Sequence, residues 1–347
     1  MQHIPSWTGF FIKIRQDVPI RPSSVGYLDC LDAPATEMST VYHMLERALR
    51  IKSQLNVQSI VCVYDQAIYA KAYQIKCKEP EKFKSIFLMM GTFHIIMTLL
   101  AVMAVRFKDP DLKDLVIQSV LVAEGSVDTM FSGSRAYKRA VRAYKILYES
   151  FSRLLLEKFK KEYPETVKDL YDSIGTENID DFNDIVSSKE MQEYSNKLVT
   201  FKEKLADKGD LAKFWLSFLE MCELLFNIIF ATRNGHWSLY LMSLRQALPW
   251  FFAYDRPNYS RYLTAHYQDL VHLEKDFPDI HSEFENGNFS VQLSPDNPFG
   301  RMEADKVIET TINKDTKTPG GTTGIERCIL VDSVLRCSNS KIYTVCF

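Results

Sequence analysis

The sequence contains no glycine-rich phosphate loop, although it has 13 glycines. None of these glycines lies in a GxGxxG or GxxxxGK[ST] pattern, and the GxSxG and HExxH patterns are absent as well. These absences weigh against nucleotide-dependent enzymes and against classical hydrolases. Any chemistry in this chain must be carried by a less familiar arrangement of side chains.

Disulfide and export signals are also missing. The seven cysteines include no CxxC pair, and their odd number favours buried thiols in a reducing compartment. The first residues, MQHIPSWTGF, lack the charged and apolar regions of a signal peptide. Charge is nearly balanced, with 42 Lys and Arg against 44 Asp and Glu, so a nucleic-acid partner would need a local basic patch. We therefore predict an intracellular protein, located in the nucleus if DNA is its partner.

The stretch from Val57 to Phe107 predicts a strand, a helix, a second strand and a second helix. The earlier segments TGFFIKIR and SVGYLDCLD are rich in β-branched and aromatic residues and predict two more strands. Short strands that are apolar on both faces are typical of a sheet covered by helices. The first part of the chain thus predicts a mixed α/β sheet.

From about Asp111 the pattern becomes helical. We expect one helix from Asp111 to Asp128, closed by Glu124-Gly125-Ser126, and then a long amphipathic helix that begins near Ser134. The predicted organisation is an α/β core and a large, mostly α-helical insertion, followed by a return segment with a late helix at Ala304–Asn313. The tail is either divergent and poorly ordered or an appended pair of strands. The corresponding boundaries are 1–110, 111–285, 286–324 and 325–347.

One segment offers a membrane alternative. Ile86–Val105 contains no charged residue and is long enough to cross a bilayer of about 30 Å as a helix. Gly91 and Thr92 interrupt it, and His94 would be costly in lipid. These three residues favour a strand, a turn and a helix over a membrane span.

Asp65 and His94 mark the two predicted strand-to-helix junctions. A carboxylate at the end of a buried strand is a rigid ligand for Mg²⁺, as metal-dependent nucleases require. Asp is also a favoured N-cap residue, and spacing alone favours this second interpretation. His94 could contact a phosphate or a metal-bound water, or be an ordinary, partly buried histidine.

Asp305 and Glu309 lie four residues apart on the late helix and therefore share a face. Either carboxylate could complete a site with Asp65. Spacing alone favours an ordinary surface helix.

A basic stripe opens the long helix. Its cations recur at helical spacing with no acidic residue before Glu149, and they are Arg135, Lys138, Arg139, Arg142 and Lys145. Such a stripe can follow a phosphodiester backbone, and the neighbouring Tyr137, Tyr144 and Tyr148 could stack on bases. The alternative is a solvated face with the tyrosines in the core.

Several segments carry a resemblance to a known family: IPSWTGFFIKIR, LDAPATEMSTVYHML, YDQAIYAKA, MGTFH, AEGSVDTMFSGSRAYKRAVRAYKILYES, RNGHWSLYLMSLRQALPWFFAYDRPNYSRYL and NPFGRMEADKVIETTINKDTKTPGG. Over residues 4–324 the chain resembles a family of uncharacterised, multicopy animal proteins of transposon-derived type. The resemblance implies the fold of ribonuclease-H-like transposases, in which a strand ends in the second catalytic Asp and a late helix carries Glu.

Transferred to this sequence, the resemblance implies Asp65 and Glu309 as ligands of Mg²⁺, with His94 as a further catalytic residue. DNA would be the partner, held by the basic stripe. The family's first Asp lies on a strand upstream of this chain, so the resemblance implies a catalytically inactive fragment of an ancestral nuclease or polynucleotidyl transferase. The alternative function is that of a non-enzymatic helical interaction protein.

Overall fold

The computed structural model describes residues 11–12, 22–27, 31, 33–107, 112–119, 123–131, 137–174, 186–310, 333–337 and 343–346. Helices dominate these residues, which confirms the predicted helix-rich class. In chain order the labelled helices are α1 (Met38–Gln54), α2 (Gln66–Lys78), α3 (Thr92–Phe107), α4 (Lys113–Gln118), α5 (Glu124–Phe131), α6 (Tyr137–Glu162), α7 (Pro164–Ile174), α8 (Lys189–Ala206), α9 (Asp210–Asn234), α10 (Trp237–Ala253), α11 (Pro257–Val271), α12 (Leu273–Asp276), α13 (Pro278–Glu285) and α14 (Ala304–Thr310).

Two sheets accompany the helices. The larger has the order β1-β6-β7-β2-β3, and the smaller pairs β4 with β5. Strand β2 runs parallel to both β3 and β7, whereas β6 is antiparallel to β1 and β7. The strands are β1 (Ser23–Tyr27), β2 (Ile60–Tyr64), β3 (Ile86–Met90), β4 (Val291–Gln292), β5 (Arg301–Met302), β6 (Ser333–Cys337) and β7 (Tyr343–Cys346).

The parallel pair β2 and β3 forms where the sequence predicts it. Every residue of both strands is buried, as expected for apolar runs covered on two faces. Their register places Ile60 beside Ile86 and Tyr64 beside Met90, so the two carboxyl ends lie at the same edge of the sheet. The side chains that follow these strands are thereby brought together.

The chain divides into two compact units, one of Met1–Gln16 and Met103–Leu225, the other of Asp17–Val102 and Phe226–Phe347. The predicted insertion, 111–285, ends 60 residues beyond Leu225, the last residue of the first unit. Helices α10 to α13 group with the sheet because aromatic residues join them to it. The ring of Phe87 in β3 lies 5.5 Å from that of Phe277 and 6.2 Å from those of His266 and Phe284.

The helical unit has its own aromatic core. Phe107 packs edge-on against Phe218 at 5.1 Å between ring centroids, and Phe151 stacks on Trp215 at 4.6 Å. A smaller cluster ties α6, α7 and α8 together through Phe159, Val167 and Phe201. These contacts fix the orientation of α6, since they bury one side of it and leave the other in solvent.

Several local predictions need correction. The predicted helix 111–128 is two helices, and Glu124-Gly125-Ser126 opens α5 instead of closing its predecessor. Phe11 and Ile12 are helical, not part of a strand.

The tail contains two strands, in agreement with the alternative of an appended strand pair. Residues 333–337 and 343–346 form β6 and β7 and complete the larger sheet. The two strands lie after α14 in the chain, whereas the family resemblance implies the first strands of the sheet before α1.

The membrane alternative at Ile86–Val105 is replaced by β3, a turn at Gly91 and α3, as the strand-turn-helix prediction requires. Among the described helices, α9 is long and apolar enough by length and composition to span a membrane. Within its most apolar window, 61% of the residues are buried inside the protein.

Candidate functional site

Asp65 follows β2 directly and caps α2. Its backbone is extended, with φ −63° and ψ 168°, and its Oδ1 accepts a hydrogen bond from the backbone N–H of Ile68 at 2.9 Å. This bond satisfies one of the donors that every helix leaves unpaired at its first turn. The N-cap interpretation of Asp65 is therefore confirmed, and its role as a metal ligand stays a prediction.

The start of α3 is capped from a distance. Gly91 precedes the helix and has no side chain that could accept hydrogen bonds from the first backbone N–H groups. The carboxylate of Asp305, on α14, takes this role: Oδ1 accepts from the N–H of Phe93 at 3.1 Å and Oδ2 from that of His94 at 3.2 Å. A negative charge at a helix N-terminus is favourable, because the helix dipole and the unpaired donors both attract it.

Glycine is required at position 91 by this close approach. A Cβ placed there would lie 2.3 Å from Oδ2 of Asp305 and 2.8 Å from its Cγ. Neither distance is compatible with ordinary van der Waals packing. Gly91 and Asp305 therefore function as a pair, although they are far apart in the chain.

His94 completes this arrangement. Its Nδ1 lies 3.0 Å from Oδ2 of Asp305, whose side chain is only 8% exposed, while the His94 side chain is 29% exposed. Burial by itself would lower the pKa of His94, but the hydrogen bond to Asp305 and the charges of Asp305, Asp65 and Glu309 outweigh it and raise the pKa. The two predicted carboxylates, Asp65 and Glu309, thus lie near enough to His94 to act on its charge.

Two tyrosines border the same region. The hydroxyl of Tyr259 donates to the carbonyl oxygen of His94 at 3.3 Å, and burial, with added repulsion from Asp65 and Asp305, raises the pKa of Tyr259 to about 12. The hydroxyl of Tyr240 lies 2.9 Å from that of Thr92, the first residue of α3. We call Asp65, His94, Tyr259, Asp305 and Glu309 the strand-edge cluster.

The predicted Mg²⁺ must be judged against these contacts. Mg²⁺ is usually bound by one or two carboxylates whose oxygens can turn towards it, while waters complete its octahedral shell. Asp65 and Asp305 instead accept hydrogen bonds from helix N-termini, and the described residues contain no group of three or more His, Cys, Asp or Glu side chains placed to hold a metal. The cluster as described does not fit the ion, and the Mg²⁺ assignment stays a prediction.

The basic stripe lies in the helical unit, on α6. Lys138, Arg139 and Arg142 are exposed, and none of them forms an ion pair or hydrogen bond with another described residue. Lys145 is half-buried, and Arg135 lies outside the described residues. We call Lys138, Arg139 and Arg142 the basic face of α6.

The predicted stacking tyrosines do not line this face as free platforms. Tyr144 is 1% exposed, and the hydroxyl of Tyr148 donates to Glu223 at 3.1 Å. Burial and the neighbouring Glu223 raise the pKa of Tyr148 to about 12. For Tyr144, the alternative of a tyrosine in the core is correct.

The role of Asp305 as the distant cap of α3 was not predicted from the sequence. A glycine in the N-cap position was the available signal, because a helix without its own capping side chain needs an acceptor from elsewhere. The pattern cannot say which acidic residue supplies that acceptor. Tyr259 also had no distinguishing signal, since it lies in a segment with several other aromatic residues.

Comparison with known proteins finds one family. No curated protein and no solved structure matches the chain. One family model matches residues 6–337, which cover nearly the whole sequence and end at the last residue of β6. The chain therefore belongs to the family described as domain of unknown function (DUF8702).

Proposed function

We propose that this protein associates with DNA through the basic face of α6. The observation that carries the proposal is the set of three exposed cations, Lys138, Arg139 and Arg142, with no acidic partner among the described residues. Unpaired cations on one helix face attract a phosphodiester backbone and gain free energy by releasing its condensed counterions.

The charge of the whole helix supports the same partner. Helix α6 contains eight Lys or Arg residues against three Glu, in a protein whose net charge is −2. A local excess of this kind in a nearly neutral chain marks a surface for a polyanion, because solubility alone does not require it. The helix is about 39 Å long at 1.5 Å per residue, enough to contact several phosphates.

We further propose that the protein derives from a ribonuclease-H-like transposase and no longer catalyses its parent reaction. The parallel ends of β2 and β3 support this origin, with Asp65 directly after β2, His94 in the first turn of α3 and Asp305 of α14 in contact with that turn. The hydrogen bonds that occupy Asp65 and Asp305 support the loss of metal-assisted chemistry. The parent reaction would be attack on a DNA phosphodiester with Mg²⁺ as Lewis acid.

The test is fluorescence anisotropy with a labelled DNA duplex, titrated at several salt concentrations. We expect the double variant Arg139→Glu/Arg142→Glu to bind at least tenfold more weakly than the unaltered protein at low salt. Each lost phosphate contact should also reduce the slope of log affinity against log salt by about 0.9.

The matched control is Lys168→Glu/Lys208→Glu. It makes the same change of net charge at two other exposed lysines of the same unit. At about 0.15 M ionic strength we expect it to bind within about twofold of the unaltered protein, because long-range charge alone is weak beyond a Debye length of about 8 Å. Equal losses in both double variants, or no binding at low salt, would reject the proposal and leave the non-enzymatic interaction protein as the alternative.

A further inference from the structure

The aromatic side chains of α6 decide which form of nucleic acid its basic face can hold. The helix has five aromatic residues, and none of them is exposed: Tyr137, Tyr144, Tyr148, Phe151 and Phe159. Four of them are engaged inside the unit, Phe151 by stacking on Trp215, Phe159 by packing on Phe201, Tyr148 by its hydrogen bond to Glu223 and Tyr144 by burial.

Proteins that prefer single strands combine cations with exposed aromatic platforms on which bases stack. The solvent side of α6 has the cations without the platforms. Unpaired bases gain no stacking energy on such a surface. Attraction between the cations and the phosphates is what remains to bind a nucleic acid.

The cations also continue along the helix. About five turns separate Arg142 from Lys160, so both project from the same side, and Arg153 lies between them on that side. All three are exposed, and Arg153 forms an ion pair with Glu149 at 2.5 Å, which leaves Arg142 and Lys160 as the cations of this side without an acidic partner among the described residues. The exposed side of α6 therefore carries a net positive charge, opposite the buried residues Ala140, Ala143 and Leu147.

The Arg and Lys side chains on this side of α6 can contact phosphates or guanine, but the helix lacks the side chains that read adenine. Helix α6 contains no Asn or Gln, the side chains that recognise adenine by paired hydrogen bonds. Contacts to phosphates position a protein but carry no sequence information. A surface of this composition responds to charge density, and a duplex carries about one charge per 1.7 Å of its axis.

We infer that the ligand of α6 is double-stranded DNA, held through its phosphates without regard to base sequence. This inference rests on the proposed function and specifies its substrate class. Duplex DNA is preferred to a single strand because it offers the higher charge density and because α6 offers no compensating stacking surface.

The experiment compares four labelled probes with the full chain. Three are 20-base-pair duplexes of equal length that are rich in A·T, rich in G·C, or mixed, and the fourth is one strand of the mixed duplex. We expect affinities within about threefold among the duplexes and at least fivefold weaker binding of the single strand at the same salt concentration. The salt slope should be steeper for the duplexes, at about −0.9 per phosphate contact against about −0.7 for the single strand.

The outcomes separate this inference from the proposed function. Binding to none of the four probes would reject both. Tight binding that favours the single strand, or that favours one duplex tenfold, would overturn only the inference, since association with DNA would then stand. The double variant Arg142→Glu/Lys160→Glu should weaken all three duplexes by the same factor, and unequal losses would likewise overturn the inference.

Discussion

The strand-edge cluster and the basic face of α6 gather charged side chains in opposite ways. In the cluster, the carboxylate of Asp305 is 8% exposed and accepts from two backbone N–H groups and from His94. On α6, Lys138, Arg139 and Arg142 are exposed and have no described partner. Buried charges must be paired to be tolerated, whereas exposed charges carry little stability and are available to a ligand.

The difference teaches which of the two regions is built for stability. Asp65, which the sequence marks as catalytic, and Asp305 accept hydrogen bonds from helix N-termini, so their first effect is on the fold. The cations that the sequence marks as a binding surface contribute little to the fold. Substitutions in the two regions should therefore separate stability from binding.

The largest effect on stability is expected at Asp305. Asp305→Ala leaves two N–H groups at the start of α3 and the Nδ1 of His94 without their acceptor, which should lower the free energy of unfolding by about 2–3 kcal/mol. Urea unfolding measures this loss, and faster hydrogen exchange in residues 92–98 should locate it at the first turn of α3.

Gly91→Ala provides the matched test of the same contact. The added Cβ meets Oδ2 of Asp305, so the single variant should cost about 1–3 kcal/mol by overpacking. In the Asp305→Ala background the carboxylate is gone, and the same substitution should cost less than about 1 kcal/mol. Strict additivity of the two losses would show that Gly91 and Asp305 are not coupled as described.

A smaller effect, dependent on pH, is expected at His94. Because the pKa of His94 is raised in the folded protein, its contribution is complete below the unfolded-state pKa of about 6.5 and is lost as pH rises through the folded-state pKa. His94→Gln should therefore destabilise by about 1 kcal/mol at pH 5.5 and by less at pH 8.5. The measurement is urea unfolding of both proteins across this range.

The Asp305→Asn background controls for the source of that pH dependence. Without the carboxylate, the hydrogen bond and charge that raise the pKa of His94 most are removed. In this background, the difference in stability caused by His94→Gln should vary less with pH. A destabilisation that grows towards pH 8.5 in the protein that retains Asp305 would contradict the assigned direction of the shift.

The smallest effect on stability is expected on α6. Arg139→Glu/Arg142→Glu should change the free energy of unfolding by no more than about 0.5 kcal/mol, because both side chains are exposed and have no described partner. Urea unfolding of the same protein preparations used for DNA binding makes the comparison direct. A loss as large as that of Asp305→Ala would mean that these cations support the fold.

The sequence predicted the strand-edge region through strong local signals. The runs of β2 and β3 are short, apolar and buried, and they are followed directly by Asp65 and Gly91. The hydrophobic pattern and the turn-forming residues therefore predict the same two strand-to-helix boundaries. The contact between Asp305 and α3 joins residues 211 and 212 positions apart. No local pattern specifies a pairing at that distance.

The errors have local physical causes as well. A Glu-Gly-Ser group can end one helix or begin the next, and at Glu124 it begins α5 with an acidic residue at the favourable end of the helix dipole. The position of the tail strands depends on which sheet edge is open to them, and only the tertiary structure supplies that information. The amphipathic pattern of α6, in contrast, predicts its solvent face correctly.

The strand order has a consequence for how the protein is made. Strand β7 lies between β6 and β2, and β1 reaches the other strands only through β6. During synthesis β2 and β3 can pair early, since 26 residues separate their first positions, Ile60 and Ile86. The other edge of β2 stays without a neighbour until residues 343–346 leave the ribosome, and an unpaired strand edge is a template for aggregation. Chain synthesis thus leaves the middle of this sheet open for the longest time, and the nascent protein depends on β6 and β7 to close it.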